Sequence, residues 1–161
     1  MADYYDEISE GYEELHKEEQ LKKVKLIAEH LKVKPEDKLL DVGCGTGLTT
    51  ELWQCKRYGI DPAPKLLERA RQKDKVEYKL APAEDIPYPD DFFDIVISIT
   101  AIQNFKDIEK GLNEIKRVGK DRFVLTFLKK SSKREFIEKK IKELFKIEKV
   151  IEEEKDIIFF A

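Results

Sequence analysis

Cysteine and histidine are scarce in this chain of 161 residues, which holds only Cys44, Cys55, His16 and His30. Two cysteines cannot by themselves build a structural zinc site, and two histidines complete a poor set of ligands for any transition metal. No apolar run approaches the roughly 20 residues that cross a bilayer, and the opening residues Met1 to Glu10 are acidic where a secretory leader is basic and then apolar. The expectation is a cytoplasmic protein without membrane contact, in which a disulfide is not expected. Side-chain amides are few, six Asn and Gln against 25 Lys, a balance that suits a thermophile. An excess of charge of one sign is missing too: 31 Lys and Arg meet 34 Asp and Glu for a net −3, so composition carries no nucleic-acid signal. What remains is 41% hydrophobic residues, enough for the core of one domain spanning 1–161.

Apolar periodicity divides the chain into alternating elements. Residues 6–31 read as a helix, with Ile8, Tyr12, Leu15, Leu21, Val24, Ile27, Ala28 and Leu31 mostly at spacings of three or four. A short strand, Lys38 to Val42, precedes Gly43-Cys44-Gly45-Thr46-Gly47, and Leu48 to Gln54 reads as a short helix. A second strand, 56–60, closes on Asp61, and Pro64 opens a helix through Gln72. Val76 to Ala81 is a third strand, and the β-branched run Phe92 to Ile99 has the composition of a strand buried on both faces. The helix Asp107 to Val118 ends at Gly119, a suitable C′ residue. Phe123 to Leu128 is a fifth strand, 132–145 another helix, and strands near 146–152 and 156–160 follow. Alternating strands and helices predict an α/β fold with a parallel, doubly wound sheet and right-handed crossovers.

In such a sheet, ligands bind beyond the carboxyl ends of the strands, where the strand order reverses. The loop after the first strand holds three of the seven glycines in five residues. Glycine there lets backbone approach a ligand and take positive φ cheaply. The dinucleotide fingerprint would need its third Gly where Leu48 stands, and no Gly-Lys-Ser/Thr follows, so a phosphate cradle is disfavoured. Asp41, two residues ahead of the loop, would repel phosphate and attract an ammonium or sulfonium group. Asp61, 20 residues further on at the end of the second strand, is placed to accept hydrogen bonds from ribose hydroxyls and is expected to be otherwise unpaired. A cationic nucleoside answers both signals, and S-adenosylmethionine is one.

Leu39-Leu40-Asp41-Val42-Gly43-Cys44-Gly45-Thr46-Gly47, Gly59-Ile60-Asp61-Pro62 with Leu66-Leu67, Ala83-Glu84-Asp85-Ile86-Pro87-Tyr88 and Phe92-Phe93-Asp94-Ile95-Val96-Ile97-Ser98 resemble, in order and spacing, the class I S-adenosylmethionine-dependent methyltransferases of the ubiquinone-biosynthesis kind. The resemblance implies a Rossmann-like sheet of seven strands, mostly parallel, with a C-terminal antiparallel hairpin and an N-terminal helical lid over residues 1–31. It implies that Asp41, Gly43, Cys44, Gly45 and Gly47 flank the methionine moiety, that Asp61 beside Pro62 holds the ribose, and that Leu66 packs on the adenine. Ala83 and Ile99 belong to the same implied cofactor contacts. Relatives carry an Asp just before that Ala, and Pro82 stands here instead, which leaves Glu84 or Asp85 to meet the adenine amino group. Tyr12 is the aromatic expected to fold over the cofactor's carboxylate end, with Tyr4 and Tyr5 before it.

The acceptor of the methyl group is harder to read. The segment Ile99 to Phe105 has no Asn/Asp-Pro-Pro-aromatic tetrapeptide and no Cys nucleophile, which suits an acceptor that is already nucleophilic and needs alignment above all. Gln103 and Asn104 read as caps of the following helix more readily than as acceptor ligands. The segment 86–103 also resembles the eukaryotic ribosomal-RNA guanine-N7 methyltransferases, which work with a small zinc-binding partner, so a partner subunit is one expectation. From Lys129 to Lys142 the local charge is +5, and Lys129, Lys130, Lys133 and Arg134 are placed to draw a phosphate-bearing acceptor such as RNA, although the run reads more readily as a solvated helix face. His16, one turn beyond Tyr12, is a candidate acid-base group or substrate contact, although it reads more readily as a surface histidine. The alternative to an enzyme is a cofactor-binding subunit that is inactive without a partner.

Overall fold

The segment Phe93–Ser98 (β4) is apolar at four of its six positions and fully buried at five, because it runs through the middle of a sheet covered on both faces. The computed structural model describes residues 10–71 and 75–161. In chain order the elements are α1 (Glu10–Ala28), β1 (Lys38–Val42), β2 (Lys56–Asp61), α2 (Pro64–Ala70), β3 (Val76–Leu80), β4, a 3₁₀ turn (Ile102–Asn104), α3 (Ile108–Val118), β5 (Gly119–Leu128), α4 (Arg134–Leu144), β6 (Lys149–Glu152) and β7 (Asp156–Phe160). The seven strands form one sheet in the order β3-β2-β1-β4-β5-β7-β6. The first five are parallel, and β7 inserts antiparallel between β5 and β6, which supplies the expected hairpin.

The two sheet faces carry separate cores. On one, Leu40, Val96, Leu125 and Phe127 pack under α3 and α4 through Leu112, Ile115, Ile137 and Ile141. On the other, Leu39, Ile95, Ile97, Val124 and Ile158 pack under α1 through Val24 and Ile27, with Trp53 beside them. Chain order and sheet order diverge at β1 and β4: β2 and β3 build outward to one side and β5 to the other. The point where the strand order reverses, at which such sheets bind ligands, therefore lies between the carboxyl ends of β1 and β4.

The structure revises four local expectations. Leu48 to Gln54 is a series of turns and not a regular helix, because Thr49, Thr50 and Trp53 spend their polar groups on local contacts. Gly119 is not a left-handed C′ residue: its φ is −98°, it starts β5, and a Cβ there would collide with the Phe123 ring. Leu15 and Ala28, members of the apolar series, are exposed. The stripe of α1 that is buried runs through Gln20, Lys23, Val24 and Ile27, two of which are polar. Finally, neither Gln103 nor Asn104 caps α3; Asp107 does, its carboxylate accepting from Lys110 N at 3.1 Å, while Gln103 Nε2 donates to Thr100 O at 2.9 Å.

Candidate functional site

β1 ends at Val42, and the glycine loop turns back over the end of β2, where Gly43 N and Cys44 N both donate to Ile60 O at 2.9 and 3.0 Å. The three loop glycines all take positive φ, 80°, 54° and 88°. At two of them the surroundings also exclude a side chain: a Cβ on Gly43 would stand 2.6 Å from Ala101 Cβ, and one on Gly47 would strike the Tyr78 hydroxyl. Gly45 has nothing near its missing Cβ, so its backbone faces open space.

Behind this loop Asp41 is fully buried. Thr49 and Thr50 donate to its Oδ2 at 2.6 and 2.7 Å, and Oδ1 has no hydrogen-bond partner. Burial pushes its pKa up to about 6 against the pull of the two threonine hydroxyls, and the neighbouring Asp61 adds to the rise. With no exposed surface, Asp41 offers the crevice negative charge at close range. Asp61 is not the unpaired acid expected from the sequence. Its Oδ2 accepts from Gly45 N at 2.9 Å and its Oδ1 from Ala63 N at 2.8 Å, so it ties the glycine loop to the turn before α2. Burial raises its pKa and those two amides oppose the rise. Cys44, buried between the two acids, has its thiol pKa pushed well up by burial and by both carboxylates, so it is inert.

The other expected contacts surround this core. Pro62 is exposed, while Leu66 and Ala83 are buried at its edge. Glu84 Oε2 accepts from Asp107 N at 2.9 Å and so spends part of its capacity on the start of α3. Asp85 is exposed. The Ile99 side chain is buried in the cluster under α1, which leaves only its backbone for the crevice. Tyr12 lies on α1 with its side chain outside the described residues, and Tyr4 and Tyr5 lie outside them altogether. His16 is half-buried; burial and the charge of Lys23 lower its pKa while Glu19 opposes them.

Several contributors were not legible in the sequence. Arg117 reaches back from α3 to hold the loop that carries Ala83 to Asp85, donating to Ile86 O and Tyr88 O at 2.9 Å each, while Glu114 takes Ile86 N at 3.0 Å. At the rim of β4, β5 and β7 lies a buried polar cluster. Lys23 Nζ stands 3.0 Å from Asp156 Oδ1, Thr100 Oγ1 and Gln20 Oε1 alike, and Asp156 Oδ2 accepts the hydroxyls of Thr100 and Thr126 at 2.6 and 2.7 Å.

The basic rim is largely spoken for. Lys129 pairs with Glu152 at 3.4 Å, Arg134 with Glu138 at 3.1 Å, and Lys133 Nζ donates to Gln103 O at 3.2 Å, while Lys130 is exposed. A separate cavity of about 390 Å3, lined by Trp53, Cys55, Lys56, Arg57 and Lys75, opens at the opposite edge of the sheet. Burial pushes its Cys55 thiol up to about 11, so that thiol is not an active nucleophile.

Comparison with known proteins bears on the family and the fold. Residues 40–126 match the family model described as a methyltransferase domain. An uncharacterized protein of Methanocaldococcus jannaschii is 29% identical over 127 residues, covering 79% of this chain and 50% of that protein. The malonyl-[acyl-carrier protein] O-methyltransferase of Serratia marcescens is 37% identical over 97 residues, covering 58% of this chain and 38% of that enzyme. A SAM-dependent methyltransferase from Aquifex aeolicus superposes with a TM-score of 0.74 at 19% identity, over 86% of this chain and 88% of that one. The chain thus spans half or less of the length of these two curated relatives.

Proposed function

We propose, on the premise that the chain belongs to the methyltransferase-domain family, that it binds S-adenosylmethionine in the crevice between β1 and β4 and transfers its methyl group to an acceptor held beside the turn after β4. The observation that carries the reading is the pair of acids at adjacent strand ends, Asp41 with an unpartnered buried oxygen and Asp61 clamped to the glycine loop. When bound, the cofactor supplies a methyl group on a sulfonium sulfur, and its positive charge suits a loop backed by Asp41. An ionised carboxylate accepts about four hydrogen bonds. Asp61 uses two on Gly45 N and Ala63 N, leaving capacity for the two ribose hydroxyls. Leu66 would offer its apolar surface to the adenine, and Glu84 or Asp85 a carboxylate to its amino group. Gly45 lets the backbone come within contact distance because no Cβ intervenes.

Catalysis on this reading is alignment. A sulfonium methyl needs no general base when the acceptor carries a lone pair, and holding two reactants in line removes several kcal/mol from the barrier. His16, whose pKa burial and Lys23 lower while Glu19 opposes them, is a candidate to take the proton where an acceptor must lose one. Lys23 lies at the carboxyl rim beside Asp156, and His30 at the other edge against Phe160. The part of α1 ahead of Gln20 therefore extends about 15 Å past the rim, at 1.5 Å per residue, and would serve as the lid. The engagement of Lys129, Lys133 and Arg134 within the chain favours a small acceptor over one with a phosphate backbone.

Titration calorimetry tests the cofactor reading. S-adenosylmethionine and S-adenosylhomocysteine are expected to bind at about 1 μM or tighter, near −8 kcal/mol, with no heat from NAD. Labelled methyl transfer into pools of small molecules, protein and RNA then identifies the acceptor. Tight binding without transfer to any pool would support the alternative, a cofactor-binding subunit that acts with a partner.

A further inference from the structure

Thr100 is a β-branched residue at φ 56°, a left-handed conformation that is a genuine outlier for this residue type. Strain of this kind persists only where the surroundings fix it, and it collects at functional sites. Here four contacts fix it: its N donates to Thr126 Oγ1 at 2.8 Å, its hydroxyl donates to Asp156 Oδ2 at 2.6 Å, Lys23 Nζ donates to that hydroxyl at 3.0 Å, and its O accepts from Gln103 Nε2 at 2.9 Å. The next residue, Ala101, is the one seated against Gly43, 2.6 Å from where a Cβ would stand. The reversal at Thr100 thus sets one wall of the crevice directly on the glycine loop.

The cluster that holds this turn includes a complete ion pair out of water, Lys23 at 2% exposure and Asp156 at 0%. Well-packed apolar residues are commonly as stable as such a pair, whereas losing one partner leaves a buried charge without compensation. Lys23 comes from α1, and Asp156 from the start of β7. If α1 lifts at Lys23, Asp156 loses its 3.0 Å ion-pair contact and the Thr100 hydroxyl loses a donor. Seating α1 and keeping the strained turn are therefore one event.

We infer that Lys23, Asp156 and Thr100 are positioning residues that couple the docking of α1 to the shape of the cofactor crevice, holding Ala101 against Gly43. This rests on the reading of that crevice as the cofactor site. The acceptor-side wall is set correctly only while α1 is in place, so the helix works as part of the site and not as a passive cover.

The test uses the full chain and S-adenosylhomocysteine as the probe. Lys23→Met and Thr100→Val are each expected to speed amide exchange at residues 99–105 by tenfold or more and to weaken the probe by tenfold or more, while amides of β1 and β4 keep their protection. Lys23→Met/Asp156→Asn is expected to return both readouts to within about threefold of the parent, because no charge is left alone and an oxygen remains for the Thr100 and Thr126 hydroxyls. Uniform loosening of the sheet, or a probe affinity within twofold of the parent, overturns the inference. If Lys23→Met does not fold, Thr100→Val decides by the same two readouts. If the parent chain binds no probe, the cofactor reading fails by itself, and the local exchange at residues 99–105 still decides whether α1 holds the turn.

Discussion

Replacing Asp41 by Asn isolates the energetic tension built into the glycine loop. The carboxylate is raised from 3.8 to about 6 by burial, a little over two units, and each unit corresponds to about 1.4 kcal/mol. Keeping it ionised in the unliganded protein thus costs about 3 kcal/mol at neutral pH. The folded state holds the proton more tightly than the unfolded chain, so this cost is absent below pH about 3.8, grows as pH rises, and is complete above about 6. Asn carries no such titration, although its amide nitrogen would stand unpartnered where Oδ1 is now, a constant penalty of about 1–3 kcal/mol. Comparing variant and parent at pH 4 and pH 7.5 cancels that constant. The stability of Asp41→Asn relative to the parent should rise by about 2–3 kcal/mol over this interval. For a chain of this size that is a relative gain in melting temperature of about 5–10 °C by scanning calorimetry. Cofactor binding to the variant should be weaker, and binding to the parent should strengthen as pH rises through 6. A stability difference that stays flat from pH 4 to 7.5 would falsify the assignment of a raised carboxyl to Asp41.

Asp61→Ala should lose on two measurements: about 1–3 kcal/mol of stability in urea unfolding, because Gly45 N and Ala63 N lose their acceptor, and at least tenfold in S-adenosylhomocysteine affinity by calorimetry. Loss of stability with affinity intact would reduce Asp61 to a loop clamp. Gly47→Ala combines φ 88° with a collision at the Tyr78 hydroxyl and should cost about 2–4 kcal/mol. Gly47→Ala/Tyr78→Phe should recover part of that in the same unfolding assay, and no recovery would mean that backbone strain alone is responsible. Arg117→Met should free the loop carrying Ala83 to Asp85, seen as faster amide exchange at Ile86, with a stability loss of about 1–2 kcal/mol since the arginine is about one-third exposed.

The sheet was legible because its strands are short apolar runs punctuated by Gly, Pro and Asp, and Lys38–Val42 and Asp156–Phe160 end where the sequence places them. The glycine loop and Asp61 were legible because their chemistry is local: acid, small residues and strand ends within 25 positions. Contacts that join distant segments were not. Nothing about Lys23 in a lysine-rich helix says that it is buried, since that depends on Asp156 reaching the same point from the far end of the chain. Thr49 and Thr50 gave no sign that they would bind Asp41, because their turns replace the helix that the apolar pattern suggested. The engagement of the basic run from Lys129 is not legible because Glu152 and Gln103 reach it from other parts of the chain.

The separation of Lys23 and Asp156 by 133 positions along the chain bears on the order of assembly. During synthesis α1 leaves the ribosome long before β7 exists, and until then its lysine has no buried carboxylate to meet and stays in water. β7 cannot be a late ornament either, since it lies between β5 and β6 and is the strand that pairs β6 to the sheet. Closure of the α1 face therefore waits for β7, and a chain halted before residue 156 would expose Ile97, Val124 and the underside of α1 together. Pulse-labelled proteolysis of stalled chains would show α1 gaining protection only once the β7 segment had emerged.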